Sequence, residues 1–302
     1  MFLAYISMLY QPLLDMITVY LSMQQDLSKV QRFFNLRDTE PKVSEFKNAS
    51  EMPPLRHVIE FKDASFSYDG NKETLQNINL VIPAGKKIAI VGRTGSGKTT
   101  LANLVQRYYD PTSGIITIDG TDLRKIKLRS MRSQIAIVPQ HALLFSRTIK
   151  DNIAYGKENP DEQTIIEAAK IANAHEFIEA KPEKYNTLIG EKGIKLSGGE
   201  QQRISIARAV FCNASVIIMD EATSHLDADS EAIVQDALWK LMDNKTAIII
   251  AHRLSTILKA DIIVVMEKGQ IVDRGTNEEL MSRCEIYKKL YNRQFKIDET
   301  ED

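Results

Sequence analysis

The sequence is poor in cysteine and has no excess of either charge. Cys212 and Cys284 stand in no metal-binding or redox spacing, which argues against a disulfide framework and favours a reducing compartment. Lys and Arg total 39 against 40 Asp and Glu, a net charge of −1. This balance lacks the basic excess that draws a protein to nucleic acid or anionic lipid, so we expect no nucleic-acid partner.

A long uninterrupted apolar run is also missing from the start of the chain. Met1–Tyr10 has neither the positive lead-in nor the small-residue cleavage site of a signal peptide. Gln11, Pro12 and Asp15 interrupt this run before it reaches the roughly 20 apolar residues that cross a bilayer. The first residues therefore predict neither a leader nor a complete membrane span.

Residues 13–36 show the apolar spacing of one long helix. The apolar positions recur in steps of three and four along one stripe: Leu13, Met16, Tyr20, Met23, Leu27, Val30 and Phe34. Periodicity alone fits two interpretations, a helix packed on its own domain or the cytoplasmic extension of a membrane helix. Residues 37–56 are rich in charge and contain Pro41, Pro53 and Pro54, which predicts a linker.

Globular patterning begins near His57, continues to about Phe295 and is followed by an acidic tail at 296–302. Short runs rich in Ile and Val predict strands of a parallel sheet buried between helices: Lys87–Val91, Gln134–Val138, Val216–Met219, Thr246–Ile250 and Ile262–Val265. More strictly alternating runs predict a smaller antiparallel sheet: Val58–Phe61, Ala64–Tyr68, Ile78–Ile82 and Ile115–Ile118. The pattern as a whole predicts an α/β fold.

Residues 92–99 read Gly-Arg-Thr-Gly-Ser-Gly-Lys-Thr, a spacing typical of a loop that binds phosphate. Gly92, Gly95 and Gly97 permit backbone turns that a side chain would hinder, and they bring N–H groups close to phosphate. An apolar strand at 88–91 leads into the loop and a helical pattern leaves it. The helix start adds free amide donors and the positive end of its dipole.

Side chains of this loop and two acidic residues complete a predicted site for ATP and Mg²⁺. Lys98 supplies positive charge for the outer phosphates, and Thr99 supplies a hydroxyl ligand for Mg²⁺. Asp220 ends an apolar strand and is the second metal candidate, while Glu221 is placed to polarise the attacking water. The expected nucleotide contacts from the loop are Gly92, Arg93, Thr94, Gly95, Ser96, Gly97, Lys98, Thr99 and Thr100.

Residues 196–203 read Leu-Ser-Gly-Gly-Glu-Gln-Gln-Arg and predict a second helix start that suits an anion. Ser197 offers a capping hydroxyl, and Gly198 and Gly199 expose backbone amides. One nucleotide needs only one such loop. The second loop therefore predicts a head-to-tail dimer, in which residues Ser197 through Glu200 bind the nucleotide of the other subunit.

These motifs, in this order, resemble the ATP-binding domain of ABC transporters, which would span 57–295. The resemblance implies a RecA-like P-loop core with an antiparallel β subdomain and an α-helical subdomain at about 141–211, and Mg²⁺-dependent hydrolysis of ATP to ADP and phosphate. By the same resemblance, Tyr68 stacks on adenine and Gln140 is a catalytic glutamine that also contacts Mg²⁺. His252 resembles the histidine that contacts the γ-phosphate.

The exporter branch of the family shows the stronger resemblance. Residues 140–152 and Glu191 resemble the regions that contact the membrane domain. Residues 1–36 resemble the end of the last membrane helix with its cytoplasmic extension, which favours the second interpretation of the helix at 13–36. This implies the ATPase domain of a dimeric exporter at the cytoplasmic face of a membrane, paired with a second copy or a paralogue. The chain would then be a fragment or a truncated frame.

Two other classes of protein fit the sequence less well than an exporter. A soluble ABC ATPase acting on DNA or ribosomes usually has tandem domains or a long insertion, whereas about 55 residues separate Gln140 from Leu196 here. A nucleotide sensor that does not hydrolyse ATP is disfavoured by the presence of Lys98 and Glu221. His225 stands where the family usually has alanine, in a loop that resembles the one communicating across the dimer.

Overall fold

The structure is a computed structural model that describes most of the chain. The described residues are 2–39, 41, 43–220, 228–251 and 253–298. They divide into two compact units, Met1–Ser44 and Glu45–Asp302. The predicted catalytic residues Glu221 and His252, and the unusual His225, lie outside the described residues.

The first unit is dominated by a single long helix, α1 (Phe2–Arg37). The helix predicted over 13–36 thus begins earlier and continues through Pro12. A proline removes only one backbone hydrogen bond, and helix-forming residues flank it on both sides, so the helix persists. The apolar stripe is largely exposed, with Met16 70% accessible. Within the described residues no helix combines the length and the hydropathy needed to cross a membrane.

The second unit contains the predicted strands and helices. The strands are β1 (Val58–Phe66), β2 (Leu75–Pro83), β3 (Lys87–Gly92), β4 (Ser113–Ile118), β5 (Thr121–Asp122), β6 (Ile135–Val138), β7 (Val216–Asp220), β8 (Thr246–Ile250), β9 (Ile262–Glu267) and β10 (Gln270–Gly275). The helices are α2 (Lys98–Val105), α3 (Leu128–Ser133), α4 (Ile149–Ile153), α5 (Glu162–Ile171), α6 (His175–Glu179), α7 (Gly198–Cys212), α8 (Ala228–Leu241), α9 (Leu254–Leu258), α10 (Asn277–Arg283) and α11 (Glu285–Asp298).

The larger sheet has the strand order β10-β9-β3-β8-β7-β6, with β10 antiparallel to β9 and the other neighbours parallel. Successive residues of its central strands face two different cores. Ile88 and Ile90 pack into one hydrophobic cluster, and Ala89 and Val91 pack into the other. Burial on both faces explains why these strands have continuous apolar runs rather than alternation.

The smaller sheet is antiparallel, in the order β2-β1-β4-β5. The two strands predicted over Val58–Phe61 and Ala64–Tyr68 form one strand, β1, which ends at Phe66. Asp63 has a φ of +47°, and the pairing register shifts between Phe61 and Ala64. The strand therefore continues through a bulge that interrupts the alternation in the sequence.

Part of the predicted linker at 37–56 is packed on the second unit. From Glu45 onward the segment belongs to the second unit. The Ser50 amide donates to the carbonyl oxygen of Lys125 at 2.9 Å, and Met52 is 4% exposed within the core beneath the antiparallel sheet. The prolines prevent a helix here but leave the chain free to dock through single hydrogen bonds and a buried side chain.

Candidate functional site

The described site residues meet at the carboxyl edge of the parallel sheet. β3 ends at Gly92, β7 ends at Asp220, and β6 ends two residues before Gln140. In the sheet register Ile90 and Asp220 both pair with Ile250 of β8, the strand between them. With strands about 4.8 Å apart, β3 and β7 lie roughly 10 Å from each other. Open α/β sheets bind their ligands in a crevice at this edge.

The phosphate loop has the backbone geometry that its glycines predict. Gly95 and Gly97 have φ values of +79° and +100°, which residues with a side chain rarely adopt. A Cβ at Gly97 would lie 2.6 Å from Cδ2 of Leu75, whereas one at Gly95 would meet nothing within 4 Å. Gly97 therefore packs against the fold, and Gly95 faces open space where a phosphate can approach the main chain.

Two polar side chains lie buried within the loop. Lys98 is 6% exposed, and its Nζ donates to the carbonyl oxygens of Gly92 at 2.9 Å and Arg93 at 3.2 Å. Ser96 is 3% exposed, and its Oγ has no hydrogen-bond partner among the described residues. A concentrated positive charge and an unsatisfied hydroxyl inside a ring of main-chain groups fit the oxygens of a phosphate.

The aromatic residue expected at adenine lies next to this loop. The Oη of Tyr68 is 3.2 Å from the Oγ1 of Thr100, in the first turn of α2. The ring of Tyr68 makes edge contacts with Phe66 and Tyr109 at centroid distances of 4.8 and 5.1 Å and stays 42% exposed. The structure thus brings Tyr68 to the loop, and its stacking on adenine stays a prediction.

The predicted metal-side residues lie at two strand ends and in the first turn of α2. Thr99 is exposed in the first turn of α2, while Asp220 and Gln140 are half-buried at the strand ends. Among the described residues, no group of three or more His, Cys, Asp or Glu side chains is arranged to hold a metal. A hydroxyl, a carboxylate and an amide suit Mg²⁺ that takes its other ligands from water and phosphate oxygens.

The second predicted anion site is the start of α7, and it has a complete capping box. The Oγ of Ser197 accepts from the Glu200 amide at 3.2 Å, and Oε2 of Glu200 accepts from the Ser197 amide at 2.8 Å. Lys181 forms an ion pair with Glu200 at 3.1 Å. Burial alone would raise the pKa of Glu200, but the Ser197 amide and Lys181 hold it below its ordinary value. The Glu200 carboxylate therefore serves the cap, and a contact of Glu200 with nucleotide stays a prediction.

The same helix is tied to neighbouring parts of the site. A Cβ at Gly199 would lie 2.8 Å from the Cβ of Ser230, so this glycine also allows α7 to approach α8 closely. Gln202 is 3% exposed, and its Nε2 donates to the carbonyl oxygen of Pro139 at 3.0 Å. Sequence analysis missed Gln202, which links α7 to the residue before Gln140. Its only signal was a glutamine one turn into the predicted helix, and this signal does not distinguish it from the neighbouring Gln201.

Residues 140–152 are held by an unpredicted pair, Asn152 and Arg208. Asn152 is fully buried, and its Oδ1 accepts from the Phe145 amide at 2.8 Å. Arg208 donates to the carbonyl oxygens of Asn152 and Leu143, each at 2.8 Å. Burial lowers the pKa of the Arg208 guanidinium. These bonds give an otherwise irregular segment one defined shape.

The two regions predicted to contact a membrane domain are neighbours. The Ile149 amide donates to the carbonyl oxygen of Thr187 at 3.1 Å, and the Ile189 amide donates to that of Arg147 at 3.3 Å. These bonds place the exposed Glu191, at the start of a short 3₁₀ turn, beside residues 147–149. Apolar side chains of both regions are exposed: Leu143 (70%), Phe145 (43%), Leu188 (55%) and Ile194 (80%).

Comparison with known proteins identifies the family. The family model described as "ABC transporter" matches residues 75–224, which include the phosphate loop, Gln140 and the start of α7. The chain is 50% identical over 297 residues to the ATP-dependent lipid A-core flippase of Syntrophus aciditrophicus, covering 98% of this chain and 49% of that protein. It is 45% identical to the putative multidrug export ATP-binding/permease protein YgaD of Bacillus subtilis, covering 96% of this chain and 50% of YgaD.

The fold is also that of a solved ABC exporter. A bacterial Atm1-family ABC exporter with ATP bound matches with a TM-score of 0.83 and 38% identity, over 92% of this chain and 48% of that chain. The chain thus spans about half the length of the relatives it matches. The motifs, the sheet topology and these similarities agree. The chain belongs to the ABC transporter family and carries its ATP-binding domain.

Proposed function

We propose that this chain binds and hydrolyses Mg²⁺-ATP, and that hydrolysis powers the export of a substrate across a membrane. The observation that carries the proposal is the phosphate loop, with Gly95 and Gly97 at positive φ and the buried Lys98 held against the loop carbonyls. Relatives named as a flippase and as a multidrug exporter support the export half of the proposal.

In the proposed reaction, the loop amides and Lys98 bind the phosphates, and Thr99, Asp220 and Gln140 hold the metal ion. Bound Mg²⁺ supplies positive charge to the phosphate oxygens. Gln140 has a second role, because its amide can orient the attacking water near the metal. Its position is defined through the neighbouring Pro139, whose carbonyl is bound by Gln202.

The proposed hydrolysis uses Glu221 and His252 for the chemical step. Glu221 directly follows Asp220 and accepts a proton from the water that attacks the γ-phosphorus. The bond between the γ-phosphorus and the bridging oxygen breaks, and ADP leaves with that electron pair. His252 donates a hydrogen bond to the γ-phosphate and stabilises the charge on it.

The proposed working form is a head-to-tail dimer with a second copy or a paralogue. Within one chain, the phosphate loop already has a helix start of its own, α2. The start of α7 then serves the nucleotide of the other subunit through Ser197 and the amides of Gly198 and Gly199. ATP binding favours the closed dimer because only the closed form makes both sets of contacts.

The proposed membrane partner is a transmembrane domain that contacts residues 140–152 and Glu191. The support is local, since these regions are hydrogen-bonded to each other and expose apolar side chains together. An exposed apolar cluster with a rigid backbone is typical of a protein interface. We therefore propose that the domain lies at the cytoplasmic face of a membrane, where α1 would continue a membrane helix.

The proposal is tested by measuring ATP affinity and ATP turnover separately, as a function of protein concentration. We expect nucleotide binding by the wild type and a rate that rises faster than linearly with concentration, since two chains share each site. Glu221→Gln should keep the binding, lose the turnover and accumulate as an ATP-bound dimer. Absence of ATP binding by the wild type would refute the proposal, and a monomeric ATP-bound variant would refute the shared site.

A further inference from the structure

A cavity separate from the nucleotide crevice lies between the phosphate loop and α11. Its volume is about 120 Å³. The residues that line it are Arg93, Glu267, Ile286, Lys289, Leu290 and Arg293. No role predicted for the nucleotide site uses the α11 side of this cavity.

The helix side of the cavity presents two positive charges above an apolar wall. Lys289 and Arg293 are four residues apart on α11, so they lie on the same face of the helix. Ile286 and Leu290 of the same helix also line the cavity and form its apolar wall. An apolar wall lowers the local dielectric and strengthens the field of the two cations.

The sheet side of the cavity adds a third cation and one carboxylate. Gly92 of β3 pairs with Met266 of β9, so the next residues along the chain, Arg93 and Glu267, lie side by side at the end of these strands. The carbonyl of Arg93 faces the loop interior, where it accepts from Lys98 at 3.2 Å. The Arg93 side chain lines the cavity instead, so this residue joins the two sites.

Among the described residues the cavity cations form no close ion pair, although the charge of Glu285 acts on Lys289 from a longer distance. In the described part of the chain, no hydrogen bond or ion pair links the side chains of Arg93, Lys289 or Arg293 to another group. The adjacent Lys288, on a different face of the helix, pairs with Glu285 at 2.9 Å. Three cations around one small cavity repel one another, and a single carboxylate compensates for them only in part.

We propose that this cavity is a second oxyanion site, which binds inorganic phosphate separately from the nucleotide. Arg93 and Arg293 offer planar pairs of N–H donors that match phosphate oxygens, and Lys289 adds a point charge. The cavity accommodates one ion of this size with its remaining water. Its binding does not require hydrolysis by this chain, so the inference stands apart from the proposed function.

Because Arg93 contributes to both sites, phosphate binding in the cavity and nucleotide binding in the loop can affect each other. Phosphate in the cavity would bind the Arg93 guanidinium, while the carbonyl oxygen of the same residue accepts from Lys98 in the nucleotide loop. Any change in nucleotide affinity caused by phosphate must be matched by an equal change in phosphate affinity caused by nucleotide.

The test is a calorimetric titration of inorganic phosphate into the full chain, with the nucleotide site saturated by a non-hydrolysable ATP analogue. We expect millimolar binding that weakens with salt. The double variant Lys289→Gln/Arg293→Gln should bind about tenfold more weakly or worse, because it loses charge-assisted hydrogen bonds. Lys288→Gln is the control. It removes one positive charge from another face of the same helix, against two in the double variant, and should bind as the wild type does.

Glu267→Gln supplies a test of opposite sign. Its carboxylate competes with phosphate for the same cations, so its removal should tighten phosphate binding about threefold or more. Equal phosphate affinity in the wild type and the double variant, equal losses in the double variant and Lys288→Gln, or weaker binding by Glu267→Gln would each overturn the proposal. So would the absence of phosphate binding by the wild type. Binding of the ATP analogue, measured in the same samples, reports on the nucleotide site independently.

Discussion

The two glycine-rich helix starts of this protein differ in how their ends are satisfied. α2 begins after Gly97, which is in the left-handed region and provides no side-chain cap. α7 begins after Ser197, whose hydroxyl and the carboxylate of Glu200 complete a capping box. The first turn of α2 therefore leaves donors for a ligand, while α7 is already stabilised by its own residues.

This difference suits the two helix starts to different roles in ligand binding. A helix start that lacks a cap gains most from the anion that it binds, because that anion satisfies several amides at once. A capped start keeps its shape without a ligand and can present its remaining amides to a partner that arrives later. In a dimer that opens and closes, the uncapped start of α2 has the properties expected of the site that binds the nucleotide first. The capped start of α7 has those expected of the site that contacts it when the dimer closes.

The largest expected effect comes from the charge at the uncapped start. Lys98→Ala removes the buried ammonium that Gly92 and Arg93 hold in the loop, so we expect ATP affinity to fall about a thousandfold, or about 4 kcal/mol. Equilibrium titration with a fluorescent ATP analogue measures this. Lys86→Ala, at an exposed ion pair with Asp261, is the control and should bind normally. Retained micromolar affinity in Lys98→Ala would contradict the assigned role.

The second-largest effect is expected from the backbone geometry at Gly97, the residue before α2. Gly97→Ala combines a φ of +100° with a contact of 2.6 Å to Leu75, and we expect a loss of about 3 kcal/mol in the free energy of unfolding. Gly85→Ala is matched in conformation, with a φ of +74°, but meets nothing within 4 Å. It should lose only about 1 kcal/mol by urea denaturation. Equal losses of unfolding free energy in the two variants would show that the close contact between position 97 and Leu75 does not contribute.

The capped start should show a smaller effect, divided between stability and assembly. Ser197→Ala removes one half of the capping box and should cost about 1 kcal/mol of unfolding free energy. Thr276→Ala removes an equivalent box from α10, away from the site, and should cost a similar amount. Only Ser197→Ala should lower ATP turnover by the dimer. If both variants lose turnover equally, Ser197 acts through stability alone.

The smallest expected effect is the pH dependence of the same cap. The pKa of Glu200 lies below its ordinary value of 4.5, so ionised Glu200 stabilises the fold above that pH. This contribution is lost as the pH falls below 4.5 and through the lowered pKa. Glu200→Gln should therefore lose less stability than the wild type across this acid range in urea titrations. Parallel curves for the two proteins would show that the carboxylate contributes nothing.

Much of the architecture followed from local pattern. The core strands were predicted because burial on both faces requires runs of Ile and Val, as in β8, where all five residues are buried. Strand β10 was missed, since its residues alternate between half-buried and exposed and include Asp273 and Arg274. An edge strand needs only one neighbour and little burial, so its sequence shows a weaker signal.

The sequence by itself determined the kind of chemistry. Glycine spacing, Lys98 and Thr99 specify a phosphate loop through local backbone freedom and charge, and these act wherever the loop is placed. Only the tertiary structure decided which distant groups act together. In the folded protein Glu200 caps α7, Gln202 binds the carbonyl of the residue before Gln140, and α11 lies beside Arg93. Such contacts join residues far apart in the chain, and packing of the whole fold sets them, which no local pattern records.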